Sequence, residues 1–91
     1  MIEHYAKLKK LYPNAILLLR IGDFYETFDQ DARTVSEVCD IVLAARRVNG
    51  EHRDIAGFPY HVAQDHIAQL IARGYTVAVA EPTSPQMEMR L

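Results

Sequence analysis

The chain has 91 residues, a length that fits one small domain, and 49% of them are hydrophobic, which is sufficient for a core. No apolar run approaches the ~18 residues of a membrane-spanning helix, and the single cysteine, Cys39, excludes an internal disulfide and fits a core position in a reducing cytoplasm. The formal net charge of −2 argues against a self-sufficient nucleic-acid binder, because such proteins are usually basic.

The N-terminal segment predicts an amphipathic helix over residues 2–12, because apolar side chains recur there every three to four positions. All the lysines of the chain lie in this segment, away from the apolar stripe: Lys7, Lys9 and Lys10. Two interpretations stay open for them, a contact with a phosphate backbone or an ordinary solvated helix face. Pro13 ends the helix, because it disfavours helical geometry at the preceding residue.

The next segment predicts a buried strand that leads into a glycine. Residues 15–21 are almost entirely apolar, which is typical of an inner strand covered on both faces of a sheet. Gly22 predicts a turn or bulge, and the chain then stays extended through Phe28. In an extended segment, Phe24, Glu26 and Phe28 share one face. A carboxylate between two phenylalanines is unusual for a plain core face and marks a candidate site.

A second helix and the start of a hairpin follow. Residues 30–39 predict a helix that Asp29 or Asp31 caps, because a carboxylate accepts hydrogen bonds from the free amides of a helix N-terminus. The apolar residues 41–45 predict a short strand. Asn49-Gly50 predicts a type I′ turn, because both central positions of that turn need a positive φ.

The return strand of the hairpin, residues 54–57, is expected to pair antiparallel with 41–46. A dense cationic cluster lies on this hairpin: Arg46, Arg47, His52 and Arg53. The residues alone leave two interpretations open. The cluster either holds phosphates or is a charged hairpin tip that discourages aggregation through the sheet edge.

The C-terminal third predicts one more helix and one more strand. Gly57-Phe58-Pro59 is expected to end the return strand, and residues 62–73 predict a helix that Gly74 ends. Residues 75–80 are nearly all apolar and predict a second inner strand, and 82–85 are expected to end regular structure. The order α-β-β-α-β-β-α-β predicts an α+β (mixed α/β) fold, in which a single mixed sheet is flanked by about three helices.

The chain lacks the sequence patterns of common enzymes. It has no glycine-rich phosphate loop, and no lysine follows Lys10. No acidic residue stands two positions before a lysine, as metal-dependent nucleases of the common type require, and the four histidines have no zinc-binding spacing. We therefore expect a protein that is not an enzyme and that needs no cofactor and no metal.

The segment 22–28 resembles the mismatch-recognition motif in the N-terminal domain of the MutS mismatch-repair proteins. It reads Gly-Asp-Phe-Tyr-Glu with a phenylalanine two residues on. Further matches follow in the family's order and at close to its spacing: Tyr5, Leu8-Lys9, Tyr12-Pro13, Asp31-Ala32, Ile41-Val42-Leu43, Arg46, Gly57-Phe58-Pro59-Tyr60-His61, Leu70-Ile71 and residues 74–81. The resemblance implies a MutS domain-I-like module with the same mixed sheet over residues 1–85, and it leaves 86–91 as a tail or the start of a linker.

The resemblance also implies roles for individual side chains. Phe24 would be a wedge that stacks on a base from the minor groove, at a cost of roughly a few kcal/mol that is smaller at a mispair. Glu26 would discriminate, because a carboxylate repels phosphates and helps only where it accepts a hydrogen bond from an exposed or protonated base. Arg46 matches an arginine of the family, and with Arg47 and Arg53 it completes the expected DNA-binding set.

The residues by themselves also permit a structural interpretation. Phe24 would then be a core residue, as most phenylalanines are, and Glu26 would pair with Arg20 or Arg46.

The resemblance implies mismatched double-stranded DNA as the partner, bound weakly by an isolated domain, together with other domains or chains of a repair complex and without a membrane. The implied location is a bacterial-type cytoplasm, with nucleoid association when DNA is bound. The chain departs from the family at four places. Ala44 replaces a threonine, Pro82 a glutamine, and Thr83-Ser84-Pro85 a Gly-Asp-Pro, and the segment before Arg20 is rich in leucine where the family often has aromatic residues. These departures indicate a diverged or stand-alone relative, or a domain carried in another multidomain protein.

Two other functions stay open. A protein-interaction or architectural module that keeps the fold without mismatch reading is favoured by the net negative charge. An endonuclease-like enzyme on a similar sheet is the third.

Overall fold

One mixed sheet of six strands carries the fold, with helices packed on both of its faces. The computed structural model describes residues 2–81 and 87–90. The elements in chain order are α1 (Ile2–Leu11), β1 (Ala15–Ile21), β2 (Phe24–Phe28), α2 (Asp29–Cys39), β3 (Ala44–Val48), β4 (Glu51–Pro59), α3 (Ala63–Ala72), β5 (Thr76–Ala80) and β6 (Met87–Arg90). The strand order is β3-β4-β2-β1-β5-β6, in which β1 and β5 are parallel and all other neighbours are antiparallel. The predicted α+β class with one mixed sheet and three helices is confirmed.

The two faces of β1 explain its apolar sequence. Alternate side chains of a strand point to opposite faces, so Leu17 and Leu19 pack under α1, whereas Ile16 and Leu18 pack under α2 and α3. Residues 15–19 are buried, as predicted for an inner strand. Within residues 2–81 and 87–90, none of the helices has the length and apolar content that crossing a bilayer requires.

Asp31 anchors α1 to the sheet. Its side chain is buried and accepts hydrogen bonds from Tyr5 Oη at 2.5 Å, Lys9 Nζ at 3.0 Å and Leu17 N at 3.1 Å. Burial, together with the carboxylate of Asp31, raises the pKa of Tyr5. Lys9, which also donates to Ala15 O at 2.5 Å, is therefore engaged within the fold, and 29% of its side chain stays exposed.

The predicted caps of α2 are wrong. Phe28 occupies the N-cap position, and within the described part of the chain no side chain caps it. Asp31 faces α1 and β1, and Asp29 pairs with Arg53 at 2.9 Å. Both carboxylates therefore bond to residues of other elements instead of capping α2.

The β3–β4 hairpin is shifted relative to its prediction. Asn49 and Gly50 have φ values of 52° and 81°, as a type I′ turn requires. That turn pairs Val48 with Glu51 and Ala44 with Ile55, so β3 starts at residue 44 rather than 41. β4 does not end at Gly57, because it also pairs with β2 as far as Pro59.

The C-terminal residues contain a strand that the sequence pattern does not predict. Residues 87–90 form β6, which pairs antiparallel with β5, so the expectation that regular structure ends at 82–85 is wrong. β6 makes β5 an inner strand, as predicted. The departures from the family at 82–85 lie outside the described residues, and the division of the chain at residue 85 stays a prediction.

Candidate nucleic-acid interface

A tight hairpin between β1 and β2 places Phe24 at an exposed tip. Ile21 and Phe24 are paired across the two strands, so Gly22 and Asp23 form a two-residue loop. Gly22 has a φ of 59° and the φ of Asp23 is not positive, a combination that marks a type II′ turn, in which glycine is strongly preferred at the first position. The predicted turn at Gly22 therefore reverses the chain, and β2 begins with Phe24.

Phe24 and Phe28 lie on one face of β2 but in different surroundings. Phe28 is 2% exposed and packs edge-to-face against Tyr5 of α1, with ring centroids 4.9 Å apart. Phe24 is 45% exposed. The structural interpretation of Phe24 as a core residue is therefore wrong, although it holds for Phe28.

Glu26 lies between them, above a glycine of the neighbouring strand. Gly57 is its register partner on β4. A Cβ at position 57 would lie 3.0 Å from Tyr25 O, tighter than about nine in ten Cβ contacts, and 3.4 Å from Glu26 Cγ, at the short end of ordinary contact. The missing Cβ of Gly57 thus leaves room for the backbone of β2 and lets the Glu26 side chain approach β4 closely. Sequence reasoning missed this role, although a glycine inside a strand often marks such a close approach.

One carboxylate oxygen of Glu26 is left without a donor. The side chain is 18% exposed, and Oε1 is buried with no hydrogen-bond partner among residues 2–81. Arg46 Nη1 lies 3.9 Å away, near enough for charge attraction but too far for a hydrogen bond. An unpaired buried acceptor costs roughly 1–3 kcal/mol, so its presence beside an exposed aromatic ring calls for an explanation.

The predicted arginine cluster does not form a single patch. Arg46 is 56% exposed and shares the face of Phe24 and Glu26. Arg53 is its register partner, but its guanidinium pairs with Asp29 at 2.9 Å and with Glu51 at 3.7 Å.

Arg47 points to the opposite face, where it donates to Gly50 O at 2.8 Å and contacts the ring of His52 at 3.1 Å. Of the three predicted arginines, Arg46 therefore lies next to Glu26, and the other two do not.

The described residues contain none of the ligand clusters that hold metal ions. Across residues 2–81 and 87–90, no three histidine, cysteine or acidic side chains converge as metal ligands do. Cys39 is buried as predicted, and burial raises the pKa of its thiol.

A family model for MutS domain I matches residues 1–90. The chain belongs to this family. Curated relatives named DNA mismatch repair protein MutS include those of Synechococcus sp., 46% identical over 93% of this chain, and of Chlorobium phaeovibrioides, 47% identical over 99%. A third, from Pelotomaculum thermopropionicum, is 44% identical over 99%. The chain spans about a tenth of the length of these relatives, since each match covers 10% of the relative.

Proposed function

We propose that this MutS domain I is a non-enzymatic module that binds mispaired or unpaired bases in duplex DNA as part of DNA mismatch repair in the cytoplasm. Phe24 is the wedge and Glu26 the discriminating acceptor. The observation that carries the proposal is the pairing, on one open face, of a half-exposed phenylalanine with a carboxylate oxygen that has no donor among the described residues. The names of the relatives support the same process.

The exposure of Phe24 fits a side chain that inserts between bases. Removing its exposed ring surface from water on binding is favourable, and stacking on a base contributes further. Insertion must partly unstack a base step, at a cost of roughly a few kcal/mol. A mispaired or unpaired base is already less well held, so the net gain is larger there than in a fully paired duplex.

Glu26 adds discrimination by opposing effects. Its charge is repelled by phosphates, which weakens binding to any duplex. Its free oxygen can accept a hydrogen bond from a base donor that a mispair exposes, and such charge-assisted bonds are about twice as strong as neutral ones. The bond offsets the repulsion at a mispair and not at a paired base, where the donors are already used.

Phosphate contacts are expected to be few. Arg46 faces the site, whereas Arg53 and Arg47 are engaged elsewhere, and the chain carries a net charge of −2. Each neutralised phosphate contributes a slope of about −0.9 in a plot of log affinity against log salt, so we expect a slope near −1 and weak binding. In a full-length relative, other domains or chains would hold the duplex.

The test is fluorescence anisotropy at low salt with two labelled duplexes, one fully paired and one with a single mismatch or unpaired base. Three chains are compared, the unaltered chain, Phe24→Ala, and Tyr75→Ala, which removes another exposed aromatic ring beside the start of β5. We expect tighter binding of the mismatched duplex by the unaltered chain and by Tyr75→Ala, and no preference in Phe24→Ala. A preference that survives in Phe24→Ala contradicts the wedge.

A second candidate function has its own observation. Val42 is 82% exposed and Leu43 is also exposed, and both lie beside β3, which is an edge strand of the sheet. An apolar surface beside a free strand edge is typical of a protein contact. If neither duplex binds at high protein concentration, a protein-interaction module becomes the better proposal.

A further inference from the structure

A row of side chains crosses the sheet on the face opposite to Phe24. Arg20 of β1 and Tyr25 of β2 are register partners. Leu19 pairs with Ala80 across the parallel strands β1 and β5, so the next residues of both strands, Arg20 and Glu81, come together at the same edge. The fold thus brings a cation and an anion to the end of the sheet where the β1–β2 turn lies.

These residues form one network around Arg20. Its Nη1 lies 3.7 Å from Glu81 Oε2, and its guanidinium stacks over the ring of Tyr60, 4.2 Å from the centroid. Tyr25 Oη donates to the other carboxylate oxygen of Glu81 at 2.8 Å. Burial and the hydrogen bond to Glu81 raise the pKa of Tyr25. The guanidinium is therefore held by an anion on one side and an aromatic ring on another.

The network reaches the turn that leads into Phe24. Arg20 Nε donates to Gly22 O at 2.8 Å, and Tyr60 N donates to Asp23 O at 2.7 Å. Both carbonyl groups of the two-residue loop are thus tied to this side of the sheet.

Strand pairing also holds the loop at its ends, because Phe24 pairs with Ile21 of β1 and with Pro59 of β4. A Cβ built at Gly22 would have no described atom within 4 Å, so side-chain packing does not hold the loop at that point. The two hydrogen bonds to the loop carbonyls add to this pairing, and the one from Arg20 comes from a side chain.

We infer that Arg20 is a positioning residue for the wedge. By holding the Gly22 carbonyl, it adds a side-chain restraint to a loop whose ends are already paired, and so limits the motion of the neighbouring Phe24. This inference rests on the proposed role of Phe24 in DNA binding. A wedge that is already ordered loses less conformational freedom when it inserts. Ordering one mobile side chain on binding lowers the affinity by about two- to tenfold.

The first test follows the motion of the wedge without DNA. The chain contains no tryptophan, so Phe24→Trp introduces a single tryptophan at the wedge position, and its fluorescence can be excited apart from that of the five tyrosines. Time-resolved anisotropy then reports its local motion on the nanosecond scale. Arg20→Met removes the donors and the charge but keeps a long side chain. Arg33→Met is the matched control, because Arg33 is an exposed arginine of α2 that pairs with Asp54 far from the turn in sequence.

Arg20→Met is expected to increase the fast local motion of the fluorophore while overall tumbling stays the same, and Arg33→Met is expected to change neither. A purely structural role for Arg20 would lower the melting temperature and leave the local motion unchanged, and that result overturns the inference. If circular dichroism shows that Arg20→Met does not fold, Glu81→Gln takes its place. That change removes the anion that holds Arg20, and it is expected to give a smaller increase in motion; no increase again overturns the inference.

The second test measures binding, with Phe24 in place. Arg20→Met is expected to lower the preference for mismatched over paired duplex by about two- to tenfold, and Arg33→Met to leave it unchanged. If the unaltered chain has no preference at all, the proposed function fails, while the fluorescence result still decides whether Arg20 orders the turn. An intact preference in Arg20→Met, in a chain that does discriminate, contradicts the positioning role.

Discussion

Replacing Phe24 by alanine should cost far less stability than the same change at Phe28. Fully burying a phenylalanine side chain contributes about 1.5–3 kcal/mol. Phe24 keeps 45% of its surface exposed, so its truncation should cost about 0.8–1.7 kcal/mol by the same proportion. Phe28, at 2% exposure beneath α1, should cost about 3–5 kcal/mol, because its removal also leaves a cavity.

Urea denaturation followed by circular dichroism measures both costs. For a domain of this size each kcal/mol corresponds to about 4–8 °C in melting temperature, so the two variants should separate clearly in a thermal scan as well. If the Phe28→Ala chain is already unfolded without urea, the result still agrees with a larger loss of stability at Phe28 than at Phe24. Equal losses in the two variants would mean that Phe24 belongs to the core in solution, and the argument for a wedge would fail.

Four further predictions test the site and its support. Glu26→Gln removes the charge that repels phosphates, so in anisotropy titrations we expect tighter binding of paired duplex and a smaller mismatch preference; weaker binding of paired duplex would contradict this. Gly57→Ala places a Cβ against Tyr25 O and beside Glu26, so it should cost about 1–3 kcal/mol in urea denaturation and lower the same preference. An unchanged preference would show that Glu26 does not need this space. Asp31→Ala should lower the free energy of unfolding by roughly 3 kcal/mol, because it leaves buried partners unpaired. Asp54→Ala, which breaks an exposed ion pair, should lower it by about 0–1 kcal/mol. Similar losses in the two variants would contradict the anchoring role of Asp31. The pKa of Tyr5 is raised in the folded state, so the stabilisation from its bound proton is complete below pH about 10 and is lost as the pH rises above it. The fall in stability at high pH should therefore be smaller in Tyr5→Phe. Parallel profiles of stability against pH in the two chains would show that Tyr5 does not cause this fall.

The strands that the sequence predicts best are those whose signal is local. Residues 15–21 are apolar at nearly every position, and β1 has the predicted bounds. β2 also has its predicted bounds, because the turn at Gly22 separates it from β1 and a helix follows Phe28. The hairpin β3–β4 is less predictable. Its bounds depend on the register that the Asn49-Gly50 turn imposes and on the pairing of β4 with β2, and neither is visible in a short window of sequence.

The residues of the candidate site also differ in how far the local sequence predicts their positions. Strand alternation alone predicts that Phe24 and Glu26 share a face, and it also separates Arg46 from Arg47, which are consecutive in β3. The cluster inferred from proximity in sequence ignored that alternation. Arg53 could not have been assigned from sequence, because its ion pair with Asp29 joins β4 to the start of α2.

The distance between Glu26 and Arg46 decides how the two can act together. The sequence leaves two states open, a carboxylate paired with arginine or a free one, and the structure has a third, with the charges 3.9 Å apart and no hydrogen bond. A full pair would leave Glu26 less able to accept a bond from a base, whereas an isolated carboxylate would repel the backbone without compensation. In the proposed mechanism, the exposed Arg46 side chain reduces that repulsion and can turn toward a phosphate, while the acceptor on Glu26 stays available. Arg46→Ala should therefore weaken binding to both duplexes and change their ratio less than Glu26→Gln does.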